Sequence, residues 1–145
     1  GEVAATLFAS TTGTDADWVV KLIDVFPPEV RSNPELGGYQ LMVSADILRG
    51  RYRESLEHPK PSEPGVVAPY RVRMPEANHT FLPGHRIMVQ VQSSWFPLYD
   101  RNPQTFVENI AKAEPANYRS ATHRIWLAPG QASYVELPVV GAITR

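Results

Sequence analysis

Hydrolysis through an acyl-serine needs a serine on a tight strand-to-helix turn, typically Gly-x-Ser-x-Gly, with a histidine in reach. The candidates here are Ser93, Ser94 and Ser120, with His58, His79, His85 and His123, but none of those serines has flanking glycines. They read as polar residues of sheet faces or loops, and no catalytic residue is assigned. Two patterns touch on metal chemistry. Asp15-Ala16-Asp17 has the spacing of part of a calcium loop, yet calcium takes about six to eight oxygens and few further carboxylates lie nearby. An Asx-turn leading into a strand accounts better for the pair. His79 and His85 flank a Pro83-Gly84 turn and would fit one hairpin, but no third ligand accompanies them. The expectation is therefore no metal and no cofactor.

Two further groups stand out. Asp24 shares strand parity with Trp18, Val20 and Leu22, which places a carboxylate among apolar side chains. Such a group is either a general base or, the better reading, half of an inter-strand ion pair. Arg49, Arg51 and Arg86 are the candidate partners, and the pair Asp24–Arg86 is the one expected. Trp95, Phe96, Tyr99 and Phe106 cluster in one loop with Asp100, Arg101 and Asn102. That loop would stack a ligand, dock on another domain, or pack on its own.

The elements that must position these groups are strands. Ile87, Val89 and Val91 alternate with Arg86, Gln90 and Gln92, the period of a half-buried strand. Ala68, Tyr70, Val72 and Met74 alternate with Arg71 and Arg73, with Pro69 marking an edge or bulge. Strands are also expected over 3–10, 18–26, 39–43, 122–127 and 133–139, and a strand or bend over 46–53. The 14 prolines of this 145-residue chain punctuate the apolar runs and leave room for one short helix, at 105–113. With seven or eight strands and no β-α-β alternation, the fold expected is an all-β antiparallel sandwich, a jelly roll, forming a single domain over 1–145.

Composition narrows the partners. A net charge of −1 without clustered Lys and Arg argues against a nucleic-acid surface, and no apolar run is long enough for a membrane helix. Cysteine is absent, which removes disulfides and thiolate chemistry from this chain but does not choose a compartment. The opening residues, Gly1-Glu2-Val3-Ala4, already have strand character, as expected of a domain excised from a longer protein.

Several dispersed segments also carry a resemblance. They are Asp15–Trp18, Val20–Pro27, Leu48–Arg53 and His79–Ile87, the last continuing through Phe96–Asn102 to Thr105. In this order they resemble the C-terminal jelly-roll domain of the CocE/NonD serine hydrolases, a family that includes α-amino-acid ester hydrolases, glutaryl-cephalosporin acylases, cocaine esterase and X-Pro dipeptidyl-peptidases. The α-amino-acid ester hydrolase and acylase branch is the nearest in look. The resemblance implies a galactose-binding-like jelly roll without catalytic residues, packed on an upstream α/β-hydrolase domain that carries the triad. It also implies help in walling the acyl pocket, and possible oligomer contacts. It favours the docking reading of the loop, with Trp95, Phe96, Tyr99, Arg101 and Phe106 as its residues. The other reading is a free-standing carbohydrate- or ligand-binding sandwich using the same loop.

Overall fold

The computed structural model describes residues 1–141. Nine strands are present among them: β1 (Val3–Thr11), β2 (Asp17–Val25), β3 (Gln40–Arg49), β4 (Ala68–Met74), β5 (Arg86–Gln92), β6 (His123–Ile125), β7 (Leu127–Ala128), β8 (Gln131–Ala132) and β9 (Tyr134–Glu136). All pairings are antiparallel. In one sheet β1 is central, with β4 on one side and the short β6 and β9 sharing the other. In the second sheet β2 is central between β3 and β5. The chain passes from one sheet to the other between β1 and β2, between β3 and β4, between β4 and β5, and between β5 and β6. This is the jelly-roll way of closing a sandwich.

The core lies between the sheets and follows period-2 alternation. Val3, Ala5, Leu7 and Ala9 of β1 meet Trp18, Val20 and Leu22 of β2 and Tyr70, Val72 and Met74 of β4. Trp18 and Tyr70 pack ring against ring at 5.2 Å between centroids, supplying the largest buried side chains. Arg71 and Arg73 point outward as the alternation requires, and β4 is indeed an edge strand. On the outer face, Arg71 reaches Glu136 at 2.7 Å across the small residues of β1.

Two local expectations differ from what forms. The segment 105–113 is not an α-helix; it holds one 3₁₀ turn, Ile110–Lys112, capped by Asn109. Asn109 sits mid-segment in extended backbone and its side chain accepts the Ala111 N–H, so a new turn starts there where a helix would have to run through. Similar single turns occur at 34–36, 50–52 and 115–117. The two C-terminal strands are each split. Trp126 leaves β6 to donate its backbone N–H to the Phe8 carbonyl, and Ser133 accepts the Phe8 N–H through its hydroxyl, so β7 and β8 pair with each other in a separate two-stranded ladder. Gly130, at φ 81°, makes its turn. No helix among the described residues is long and apolar enough to cross a membrane.

Candidate functional site

The first polar centre forms where β1 gives way to β2. Asp15 is fully buried and receives the Arg51 guanidinium, Nε at 2.8 Å and Nη2 at 2.7 Å on the same Oδ2, while Oδ1 accepts the Ala16 N–H. Arg51 is itself 3% exposed, with its other face against the Phe106 ring at 4.6 Å. Two residues on, Asp17 accepts a hydrogen bond from Asn102 Nδ2 at 2.9 Å. Both carboxylates thus face protein donors, and the Asp15-x-Asp17 spacing is explained by pairing in place of a calcium loop or Asx-turn. Burial pushes the Asp17 pKa up to about 6, against the pull of Asn102 and Arg49.

This centre fixes the aromatic loop. Asn102 Oδ1 caps the Gln104 N–H, the Gln104 carbonyl accepts from Thr14, and Thr14 Oγ1 accepts from Phe106. The close approach needs Gly13, since a Cβ there would fall 2.3 Å from the Gln104 carbonyl oxygen. Sequence reasoning did not find the network of Asp15, Arg51, Asp17 and Asn102. The signal available was two charged residues beside a strand otherwise buried on both faces.

The five loop residues divide. Trp95 and Tyr99 pack together at 5.9 Å on the outer face of the β3-β2-β5 sheet, with the Lys21 ammonium 4.9 Å from the Trp95 ring. Phe106 turns inward onto Arg51. Phe96 is left 63% exposed and Leu98 64%, with the Arg101 guanidinium 5.6 Å from the Phe96 ring.

The second polar centre corrects an expectation. Asp24 is buried at the predicted parity, but its partners are histidines: Oδ2 meets His79 Nε2 and Oδ1 meets His85 Nδ1, each at 2.8 Å. Arg86 is not its partner. Register places Arg86 opposite Val25, hence on the outer face, and puts Ile87 opposite Asp24. Arg49 is likewise far along the strand, opposite Asp17. The Pro83-Gly84 turn instead brings both histidines to one carboxylate. Burial raises the Asp24 pKa, but the hydrogen bonds from His79 and His85 outweigh it and hold the group below its ordinary value. An ionised, doubly bonded carboxylate is a structural tie and is poorly suited to act as a general base. Phe26 covers His85, and Phe81 meets His79 edge-on.

Beside His79 the sandwich is open. A cleft of about 510 Å³ lies between the sheets, lined by Val3, Leu22, Val43, Phe81, Ile87 and Leu137 among others. Ile87 and Val89 share parity with the buried Leu22, yet they remain 54% and 41% exposed.

With this geometry in view, comparison with known proteins gives concordant results. The pattern of the X-Pro dipeptidyl-peptidase C-terminal non-catalytic domain matches residues 1–136. Cocaine esterase from Rhodococcus sp. (strain MB1 Bresler) is 39% identical over 140 residues, covering 97% of this chain and 23% of that protein. An aminopeptidase from a marine sediment archaeon, Thaumarchaeota archaeon, is 61% identical and superimposes with a TM-score of 0.95. An α-amino acid ester hydrolase is 58% identical with a TM-score of 0.94. Each superposition covers 97% of this chain, which spans 23% of the length of either structure.

Proposed function

Because this chain belongs to the family of X-Pro dipeptidyl-peptidase C-terminal non-catalytic domains, we propose that it serves a larger serine hydrolase as a rigid sandwich docked on the catalytic domain. The observation that carries the docking surface is Phe96 and Leu98, both about two-thirds exposed beside Arg101. Their loop is held at its base by the buried Asn102–Asp17 bond. An aromatic and an arginine presented on a fixed support lose little conformational entropy on docking and suit the centre of an interface. Trp95 and Tyr99 anchor the same loop on the sheet, and Phe106 anchors its far end on Arg51. The parent would cleave an ester or amide through an acyl-serine made elsewhere in its chain.

The test removes the corresponding domain from the α-amino acid ester hydrolase and adds this chain in trans. Restored ester hydrolysis that Phe96→Ser weakens tenfold or more is the expected result. Saturable esterase activity of this chain alone would refute the non-catalytic role. Restoration indifferent to Phe96→Ser and Leu98→Ser would move the docking surface elsewhere.

A further inference from the structure

The sandwich has one edge that it leaves unguarded. Among the described residues β5 pairs with β2 alone, and no loop backbone hydrogen bond reaches residues 86–92. The other edges are protected in the ways sheets usually employ. β4 carries Pro69 and outward Arg71 and Arg73; β3 lies opposite an irregular register at Leu22/Ile23; β6 and β9 are three residues each. β5 has seven residues with no proline and an unbroken register. Its inward side chains Ile87 and Val89 are half in water although their cross-strand neighbours, Asp24 and Leu22, are almost fully buried. Ile87 lines the cleft, which Val3, Leu22 and Leu137 also line.

We propose that the free edge of β5 accepts an extended strand from the hydrolase portion of the parent polypeptide, which completes the sheet and closes the cleft. The inference rests on the reading of this chain as one domain of a hydrolase. The incoming strand is specified by chemistry. It is about seven residues long, since that length of extended chain matches β5, and it is apolar at alternate positions so that every second side chain joins Ile87 and Val89 on the inward face. One observation and one general principle favour a source in the parent over a second copy. The relatives are about four times as long as this chain, so most of each polypeptide lies outside the matched region. A strand on the same polypeptide also arrives at high effective concentration, roughly millimolar for short linkers, and needs no separate affinity.

The experiment places this chain in the α-amino acid ester hydrolase in place of its 58%-identical counterpart and follows amide hydrogen exchange of the peptide 86–92. In the isolated chain the amides of β5 that face away from β2 exchange rapidly; in the chimera they slow by about a hundredfold or more. Ile87→Lys should leave the melting temperature of the isolated chain nearly unchanged, because that side chain is already half exposed, yet return the chimera to rapid exchange. An active chimera whose β5 exchanges as in the isolated chain overturns this inference and leaves the domain reading intact. A chimera in which the domain fails to assemble with the hydrolase overturns both. Protection that appears in the isolated chain with rising concentration, and is no greater in the chimera, assigns the edge to a second copy and refutes the proposal.

Discussion

Asp17→Asn isolates the cost of a buried charge. Asp17 is 1% exposed and its pKa stands at about 6, raised from 3.8 chiefly by burial. The folded chain therefore holds this proton more tightly than the unfolded chain does. Stability from that preference is complete below pH 3.8 and is lost as pH rises through about 6. The gap between the two values corresponds to about 3 kcal/mol. Asparagine keeps the Oδ1 acceptor that Asn102 Nδ2 needs and removes the titration. Urea unfolding at half-unit steps from pH 4 to 7 would give wild type minus variant at each step. That difference should fall by about 2 kcal/mol between pH 4 and 7, most of the full gap, leaving the variant the more stable protein at neutral pH. His123, lowered by burial, contributes with the opposite sign and cancels in the difference. Asp24, held low, contributes stability that is present above pH 3.8 and lost only as pH falls below it. A difference flat to within about 0.5 kcal/mol, the scale of an ordinary surface change, would show that Arg49 and Asn102 fully offset burial.

Three other outcomes follow from the geometry. Asp24→Ala removes the acceptor of two charge-assisted bonds and should cost about 3 kcal/mol by chemical denaturation; a loss under about 0.5 would mean the histidines do not need it. Gly13→Ala forces the Gln104 carbonyl away and should destabilise the chain by roughly 1–3 kcal/mol, with faster amide exchange at Thr14 and Phe106, while unchanged exchange there would break the link from Gly13 to the aromatic loop. Phe96→Ser should leave the melting temperature within about 2 °C while weakening docking, because the ring is mostly in water; a large drop in stability would make it a core residue.

Alternation and punctuation in the sequence determined the strands. Period-2 patterning at 68–74 and 86–92, and the doubly apolar run at 18–26, are read from adjacent residues, so the sandwich and the inward parity of Asp24 were legible without coordinates. The dispersed segments that resemble the family likewise marked a hydrolase-associated domain. What the sequence could not supply was which residue meets which across the fold. An arginine was the natural partner for Asp24, but register turns Arg86 to the outer face while a six-residue excursion from His79 to His85 returns two imidazoles to one carboxylate. The tie between Asp17 and Asn102 spans 85 positions, and its choice depends on how the sheets stack. The aromatic loop shows the same limit. Composition placed four rings together, but only the outer face of β2, with Lys21 beneath Trp95, decided that Trp95 and Tyr99 pack down while Phe96 stays out. Local pattern encodes which face a side chain takes; partner and exposure are set by what the rest of the chain, or another chain, brings to that face.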